Sequence, residues 1–419
     1  MPTPTPIKTL WTEIGDIIDA SHIREAKPDE SIAGVPAEMV AEPGNVEEAA
    51  AILSRCSQAG ITVAPRGGGS KLGWGNAPRP ANLIFSLKRL NRVLEHPHSD
   101  LTATVEAGCT VQDFQQTLAI HGQRLASDAL WPKLATIGGM LATNDSGSLR
   151  VRFGALRDLI IGATIVLADG TIAKSGGKVV KNVAGYDLQK LMTGSFGTLG
   201  IITQATFRLY PLPKATRSFS ITFGDAESAN RLALTLLDSQ LVYTGIQFRN
   251  QGEQFHVDVR LEGTEQGLDA QVCQLRMLSS SFQSADDTVW QAREELFAGQ
   301  SLVLKINVLP SQLAWSCNLI ISTCAAHEIL WSYVAQAFGI GFLKLAASNE
   351  ANLQRAIQSL RIAVESKQGS LVLLHSPLPL RSKIDSWGIS PDSLALMRRV
   401  KERFDPAGIL NPGRFVGGI

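Results

Sequence analysis

Hydrophobic side chains recur along the chain with two periods, and each period predicts one kind of element. Residues 201–209 carry an apolar side chain at nearly every second position, the spacing of a half-buried strand. Residues 226–237 carry them three or four positions apart, the spacing of an amphipathic helix. Asn45, with Glu48 three residues later, predicts the start of another helix, which Gly60 ends.

The same patterns predict a chain of mixed helices and strands. Asp169-Gly170 predicts a hairpin between two of the strands. Further strands are predicted at 61–64, 83–85, 101–106, 159–167, 171–174, 218–223, 255–261, 302–308 and 371–374, and further helices between Thr110 and Gly122, at 349–367 and at 396–404.

The 419 residues are enough for two or three domains. Pro211 and Pro213 close a strand and predict the first domain boundary. The predicted organisation is an N-terminal segment, two domains and a tail, at residues 1–35, 36–215, 216–385 and 386–419.

Charge and cysteine content exclude several classes of protein. Lysine and arginine total 39 against 38 acidic residues with no basic block, so we expect no nucleic-acid partner. The five cysteines are scattered and odd in number, which favours reduced thiols in a cytoplasmic protein. No CxxC motif occurs, so we expect the chain to bind no iron–sulfur cluster itself.

Membrane insertion is not expected either. Residues 1–6 lack the basic and apolar regions of a signal peptide. The longest apolar runs, such as 159–168, are shorter than the ~20 residues that span a bilayer. Any peripheral attachment to the inner membrane would therefore come through a partner.

Two glycine-rich segments, at 65–70 and 136–144, carry the strongest chemical signal. Rows of small residues let backbone N–H groups converge on an anion such as a diphosphate, with Arg66 and Lys71 as countercharges. The residues at 73–80 that follow the first loop cannot continue as a helix, which excludes a Rossmann fingerprint or a P-loop. We therefore predict two separate amide clusters, not a helix N-terminus, around the anion. A tight turn without ligand is the alternative for a single loop.

A third glycine motif lies at 194–202, where Gly194, Gly197 and Gly200 recur every three residues before a strand. Such spacing lets backbone approach a ligand closely, although glycines also mark β-bulges.

The ordered series of motifs resembles the FAD-linked oxidases of the vanillyl-alcohol oxidase type. The motifs are PRGGGSK, TIGGMLATNDSG, VKNVAGYDL, GSFGTLGII and FDPAGILNPGRF. Within that family the chain is most similar to the FAD-binding E subunits of bacterial glycolate oxidase (glycolate dehydrogenase). The resemblance implies an α+β fold: a two-subdomain FAD-binding domain of the p-cresol methylhydroxylase (PCMH) type, an α+β, ferredoxin-like cap, and a C-terminal tail that returns to the flavin.

The resemblance also implies which residues bind FAD. The first loop would hold the diphosphate, the second segment would form the opposite wall, and the tail asparagine would reach the flavin edge. The implied cofactor-binding residues are Pro65, Arg66, Gly67, Gly68, Gly69, Ser70, Thr136, Ile137, Gly138, Gly139, Asn144, Ser146, Gly147, Gly197, Ile201, Ile202 and Asn411.

The chain departs from the family pattern at three places. No histidine lies between Arg66 and Asn76, where relatives attach the flavin, so we predict non-covalent FAD. The HxGDGNxH motif of catalytic relatives is absent, and Phe196 stands where they more often carry glutamate. These departures favour catalysis that is shared with, or located in, a sister subunit.

The histidines offer one weak catalytic candidate and no metal site. His375 ends the last predicted strand before the tail, where it would serve either as a base for the substrate hydroxyl or as a structural residue. His96 and His98 have a chelate-like spacing but no evident third ligand, so we predict no metal. His121 is predicted to be an isolated surface or structural residue.

The resemblance implies an FAD-binding subunit of a glycolate or similar 2-hydroxy-acid dehydrogenase. It would pass electrons to an iron–sulfur subunit and work beside a sister flavoprotein subunit. The alternatives are a non-catalytic structural subunit of the same complex and an autonomous FAD-dependent D-lactate dehydrogenase.

Overall fold

A computed structural model describes residues 7–177, 185–299 and 302–419. The chain divides into two compact units. The first comprises Met1–Ser146, Ala155–Leu212 and Ile389–Ile419. The second comprises Gly147–Gly154 and Pro213–Gly388.

Helices and strands alternate through both units. Within the described residues the helices α1 to α14 are Ile7–Ile18, Val46–Ala59, Val111–Ala119, Ile137–Thr143, Arg150–Phe153, Leu156–Leu159, Leu188–Met192, Ala226–Leu237, Glu265–Leu278, Ala292–Glu295, Leu313–Ala326, Glu350–Ser366, Leu378–Arg381 and Leu394–Phe404. The strands β1 to β20 there are Ile23–Glu25, Ser31–Ile32, Val35–Ala41, Val63–Arg66, Ala81–Ser86, Val93–Glu95, Thr102–Glu106, Gln123–Arg124, Ile160–Val166, Ile172–Gly176, Ile201–Arg208, Tyr210–Pro211, Ala215–Phe223, Tyr243–Gln251, Gln254–Gly263, Gln283–Ala285, Leu302–Asn307, Leu330–Gln336, Ile340–Ala346 and Ser370–His375.

The first unit begins with a small sheet of strand order β1-β3-β5-β4, in which β3, β5 and β4 run parallel. The helix α2 supplies the crossover between β3 and β4. Asn45 caps it by accepting a hydrogen bond from the Glu48 N–H at 2.8 Å, and Gly60 ends it at φ 65°. The predicted helix start and stop are both confirmed, although the Glu48 carboxylate accepts from the Gly44 N–H rather than from that of Asn45. Because all three parallel strands run the same way, the loop after β4 emerges at the carboxyl edge of this sheet.

A second sheet of the first unit has the antiparallel order β10-β9-β11-β7-β6. Every residue of β9 is buried, and β9 pairs with β10 across the Asp169-Gly170 turn, which confirms the predicted hairpin. The strand β11 lies in the middle of this sheet, so the glycine motif that precedes it enters the unit at its centre.

The second unit is built on an eight-stranded sheet of order β16-β13-β15-β14-β18-β19-β17-β20. Alternate residues of its strands, such as Phe248 and Val257, form one core with the buried side chains of α8, α9, α11 and α12. Some of the strand residues between them are polar: Asp258 is fully buried and accepts hydrogen bonds from Gln247 and Arg249. Helices therefore cover the apolar face of this sheet.

Most elements predicted from periodicity are confirmed to within a few residues, among them α8, α12 and α14. The helices α1 and α4 and the strands β1 to β3 and β14 were not predicted. Residues 180–184 of the VKNVAGYDL motif lie outside the described residues. In the described part of the chain, no helix combines the length and apolarity needed to cross a membrane.

Replacement of Phe248 by alanine is expected to destabilise the second unit by about 3–5 kcal/mol, because it leaves a cavity in a closed core. Phe248 is fully buried, with ring centroids 5.6 Å from Phe255 and 6.5 Å from Tyr333. Urea unfolding measures the effect. Met277→Ala is the control, since 79% of Met277 is exposed and its loss is expected to change stability by less than ~0.5 kcal/mol. Equal stability of the two variants would contradict this packing.

Candidate functional site

An open cleft runs across the first unit, and the glycine motifs line it. It consists of two adjoining parts of about 440 and 490 Å³. Pro65, Gly67, Gly139, Ala142 and Phe196 line both parts, so the two form one continuous groove.

The first glycine loop leaves four backbone amides free at the groove. It begins where β4 ends at Arg66, and Gly69 turns the chain with φ 82°. Throughout the described residues, no group accepts a hydrogen bond from the N–H of Gly67, Gly68, Gly69 or Ser70. Successive unpaired amides in a turn form a concave donor surface for an anion.

Close packing against the second segment explains why this loop needs glycine. A Cβ at Gly68 would lie 1.7 Å from the Leu134 carbonyl oxygen, and one at Gly67 would lie 2.0 Å from Thr136 Oγ1. Real Cβ atoms do not approach that closely, so only glycine lets the loop rest on the segment 134–136. The loop is thereby fixed with its amides along the groove.

The second segment differs from the prediction. It forms the seven-residue helix α4, with Thr136 as N-cap. The first amides of this helix are already used: the Ile137 N–H donates to Cys109 O at 2.9 Å and the Gly138 N–H to Ala107 O at 2.7 Å. The Gly139 N–H lies 3.3 Å from Thr136 Oγ1. The prediction of two amide clusters is therefore wrong for this segment, which serves as a wall of the groove while the first loop carries the free donors.

The third motif forms the opposite wall through Ser195, Phe196, Gly197 and Gly200. Phe196 adopts φ 55°, a left-handed conformation that is unusual for an aromatic residue, and it lines both parts of the groove. A Cβ at Gly197 would lie 2.7 Å from Pro65 Cγ, so glycine is required for this turn to approach β4.

The tail segment reaches the groove at Asn411. The Asn411 N–H donates to Val63 O at 2.9 Å, and its Nδ2 donates to Phe196 O at 2.7 Å. Asn411 Oδ1 is buried and accepts no hydrogen bond within the described chain, although the residue lines the groove. A buried acceptor without a donor is costly, so this atom favours a ligand with a hydroxyl or N–H group.

The two predicted countercharges are both paired within the protein. Arg66 lies 2.7 Å from Glu30, and the Arg24 and Arg66 guanidinium groups hold the pKa of that carboxyl far below its usual range. The buried Lys71 ammonium lies 3.2 Å from Asp145 and 5.7 and 5.4 Å from the Trp74 and Trp131 ring centroids. Recognition of an anion here therefore depends more on backbone amides than on free side-chain charge.

Most of the predicted site residues come together at the groove. Those that line it are Pro65, Arg66, Gly67, Gly68, Gly69, Ser70, Thr136, Gly138, Gly139, Gly197, Ile201, Ile202 and Asn411. Four do not line it. Ile137 is the fully buried first residue of α4, and Asn144 caps the end of that helix. Ser146 ends a stretch of the first unit and Gly147 begins a stretch of the second.

Several groove residues were not among the predicted ligands: Lys71, Leu72, Leu87, Ala142, Thr143, Ser195, Phe196, Gly200 and Arg414. Lys71 and Phe196 lie within motifs: the sequence analysis named Lys71 as a countercharge and Phe196 as a departure from the family pattern. Leu87 follows β5 and has no motif, so only the parallel pairing of β4 with β5 places it here.

The histidines require one correction. His121 is not isolated: its ring stacks on that of His98 with centroids 4.4 Å apart, and His96 lies 5.2 Å away. The His98 and His121 rings are stacked face to face, whereas the His96 ring meets both edge-on. No group of three or more His, Cys, Asp or Glu in the described chain has an arrangement that could hold a metal ion. His375, in the second unit, lies with its ring centroid 6.4 Å from that of Phe297.

Comparison with known families supports a nucleotide site in the first unit. Residues 37–176 match the FAD binding domain family, and residues 386–415 match the FAD linked oxidases, C-terminal domain family. Both matched ranges contribute residues to the groove.

Two relatives and one solved structure cover nearly the whole chain. Glycolate oxidase subunit GlcD of Bacillus subtilis (strain 168) is 25% identical over 94% of this chain and 90% of its own length. A D-lactate dehydrogenase of Archaeoglobus fulgidus is 26% identical over 90% of this chain and 91% of its own length. The structure of p-cresol methylhydroxylase has a TM-score of 0.76 at 15% identity over 97% of this chain and 96% of that chain, and it shows the fold alone.

Gly68→Ala is expected to weaken FAD binding by about tenfold or more, which corresponds to ~1.4 kcal/mol, because the new Cβ must push the loop away from Leu134. Titration of apo-protein with FAD, followed by quenching of flavin fluorescence, measures the dissociation constant. Gly224→Ala is the matched control, since a Cβ there meets no atom within 4 Å. An unchanged dissociation constant in Gly68→Ala would show that the loop does not need this contact.

Lys71→Met is expected to destabilise the apo-protein by about 3–5 kcal/mol, because it leaves the Asp145 carboxylate buried without its cation. Urea unfolding measures the loss. The double variant Lys71→Met/Asp145→Asn should recover part of it, since it removes the uncompensated charge. Lys383→Met, which breaks a surface pair with Glu350, should cost no more than ~1 kcal/mol. Additive losses in the double variant would mean that the pair is not coupled.

Proposed function

Because the chain is an FAD-linked oxidoreductase of the vanillyl-alcohol oxidase type, we propose that it is the FAD-binding subunit of a glycolate (2-hydroxy-acid) dehydrogenase complex. The observation that carries the proposal is the groove itself, in which four unpaired amides of the first loop lie beside a buried acceptor without a donor.

These groups fit FAD. A diphosphate offers only acceptor oxygens, which match the free N–H groups of Gly67, Gly68, Gly69 and Ser70. The ribityl hydroxyls and ring N–H groups of the nucleotide are donors, which Asn411 Oδ1 lacks. The first part of the groove is also lined by apolar Leu87, Ile201 and Ile202, which suit a flat heterocycle.

Bound FAD supplies an acceptor for the hydride of the substrate carbon. The residues of this chain hold and orient the FAD. The first loop would hold the diphosphate, Thr136 and Gly139 would form one wall, and Gly197 the other. No histidine lies between Arg66 and Asn76, where relatives attach the flavin, so the flavin would be held without a covalent bond.

The substrate class is inferred from the names of the two similar proteins. Glycolate and D-lactate, for which the two similar proteins are named, are both 2-hydroxy acids, and each of these relatives aligns with at least 90% of this chain. We infer that the substrate here is a small 2-hydroxy acid and that glycolate is the first to test.

The electron acceptor would be an iron–sulfur subunit, with a sister flavoprotein subunit beside it. The basis is the absence of a CxxC motif from the sequence together with the likeness to a protein named as an oxidase subunit. All five cysteines are free thiols and four of them are buried, which supports a reducing compartment such as the cytoplasm. The inner membrane would be reached only through the complex.

His375 is the candidate base for the substrate hydroxyl. Burial, and secondarily the charge of Arg381, lower the pKa of this histidine below its ordinary value of 6.5. The imidazole is therefore neutral at pH 7, which is the form that accepts a proton.

Co-expression tests the proposed function directly. The chain would be purified alone and with candidate sister and iron–sulfur subunits, and flavin content and glycolate-dependent dye reduction would be measured for each preparation. One FAD per chain and dye reduction only in the complex would support the proposal. A chain that takes up no FAD under any of these conditions would refute it.

An autonomous dehydrogenase is the second candidate, because the D-lactate dehydrogenase relative aligns with 90% of this chain, against 94% for the subunit relative. Rapid dye reduction by the isolated chain with D-lactate would favour this alternative. Full FAD content without any dye reduction, alone or in the complex, would instead favour a structural subunit.

The pH dependence of dye reduction tests His375. A base with a lowered pKa stays neutral until the pH falls below 6.5, so kcat/KM should be flat from pH 7 to 8 and should decline only below about 6.5. His375→Asn should lower kcat/KM by about 10²-fold or more and remove this decline. His256→Asn is the matched control, because burial also lowers the pKa of this half-buried histidine of the same unit. Equal effects of both substitutions would exclude His375 as the base.

A further inference from the structure

The buried Lys401 ammonium lies at the junction of two segments that line the groove. Lys401 is on α14 and is 9% exposed. Its Nζ donates to Thr198 O at 2.8 Å, to Leu410 O at 2.8 Å and to Asp405 Oδ2 at 2.5 Å. An ammonium has three N–H donors, so each has an acceptor. Burial lowers the pKa of Lys401, while the Asp405 carboxylate opposes that shift.

Asp405 organises the chain between α14 and the groove. Its Oδ1 accepts a hydrogen bond from the Ile409 N–H at 3.1 Å, and its Oδ2 accepts one from the Leu410 N–H at 2.7 Å. The side chain is fully buried. The conformation of residues 405–410 is therefore built around the ion pair.

The two segments joined by Lys401 present residues with left-handed backbone to the groove. Phe196 lies two residues before Thr198 and adopts φ 55°, and Asn411 follows Leu410 and adopts φ 43°. Asparagine adopts this conformation readily, but it is unfavourable for phenylalanine and persists there only where surrounding contacts hold it. The hydrogen bond from Asn411 Nδ2 to Phe196 O connects these residues directly.

We propose that Lys401 is a positioning residue for the FAD site, which holds the Phe196 turn and Asn411 in their binding conformations through its bonds to Thr198, Leu410 and Asp405. Lys401 does not line the groove, so it acts only through these neighbours. The inference rests on the proposed assignment of the groove to FAD.

The test is a double-mutant cycle of Lys401→Met and Asn411→Ala, with FAD affinity of the apo-protein as the readout. Each single variant should bind FAD about tenfold or more weakly. In the double variant the two losses should not add, because Lys401 acts through Asn411. Urea unfolding of the same proteins separates loss of folding from loss of binding. Asp405→Asn removes the charge but keeps one of the two acceptor oxygens, and it provides a second variant if Lys401→Met fails to fold.

Lys190→Met is the matched control, since it breaks an exposed lysine–aspartate pair in the same unit, and its FAD affinity should equal that of the wild type. A folded Lys401→Met or Asp405→Asn protein with wild-type FAD affinity would overturn the inference, as would fully additive losses in the cycle. Failure of the wild-type protein itself to bind FAD would refute the proposed function instead, so the two outcomes are distinguishable.

Discussion

The contact between the first glycine loop and the segment before α4 determines the rest of the site. Gly68 rests against the Leu134 carbonyl and Gly67 against the Thr136 hydroxyl, at distances that exclude any side chain on either glycine. This packing holds the loop in place, so its amide N–H groups cannot rotate toward acceptors inside the protein. They remain as donors along the groove, where water or an anion must satisfy them.

Paired charges give this groove a particular kind of selectivity. Arg66 and Lys71 would attract any anion if they were free, but Glu30 and Asp145 neutralise them. A row of fixed backbone dipoles remains, and it favours a ligand whose oxygens match the spacing of the amides over one that merely carries negative charge. Preorganised dipoles also need no rearrangement on binding, so ordering the loop costs little.

Local patterns in the sequence were sufficient for much of the fold, and distance along the chain explains what they missed. The capped helix α2 and the β9–β10 hairpin are encoded by neighbouring residues, and both were predicted. The helix α4 was not, because Gly138 and Gly139 each disfavour a helix by about 1 kcal/mol, and its packing overrides that preference. Side-chain partners were missed for another reason: the bond between Lys401 and Thr198 spans 203 positions, and no local pattern encodes such a pairing.

The order of the chain adds a further constraint on how the groove is completed. Three of its segments lie within residues 65–202, whereas Asn411 belongs to a stretch that returns to the first unit only after residues 213–388. Closing a loop of that length costs conformational entropy before any contact compensates for it, although the cost grows only logarithmically with length. The second unit folds this intervening chain around its own core, which shortens the effective loop. A buried ion pair at the point of return then suits the task, because Lys401 of α14 and Asp405, which caps the end of that helix, are only four residues apart and can pair without any distant segment.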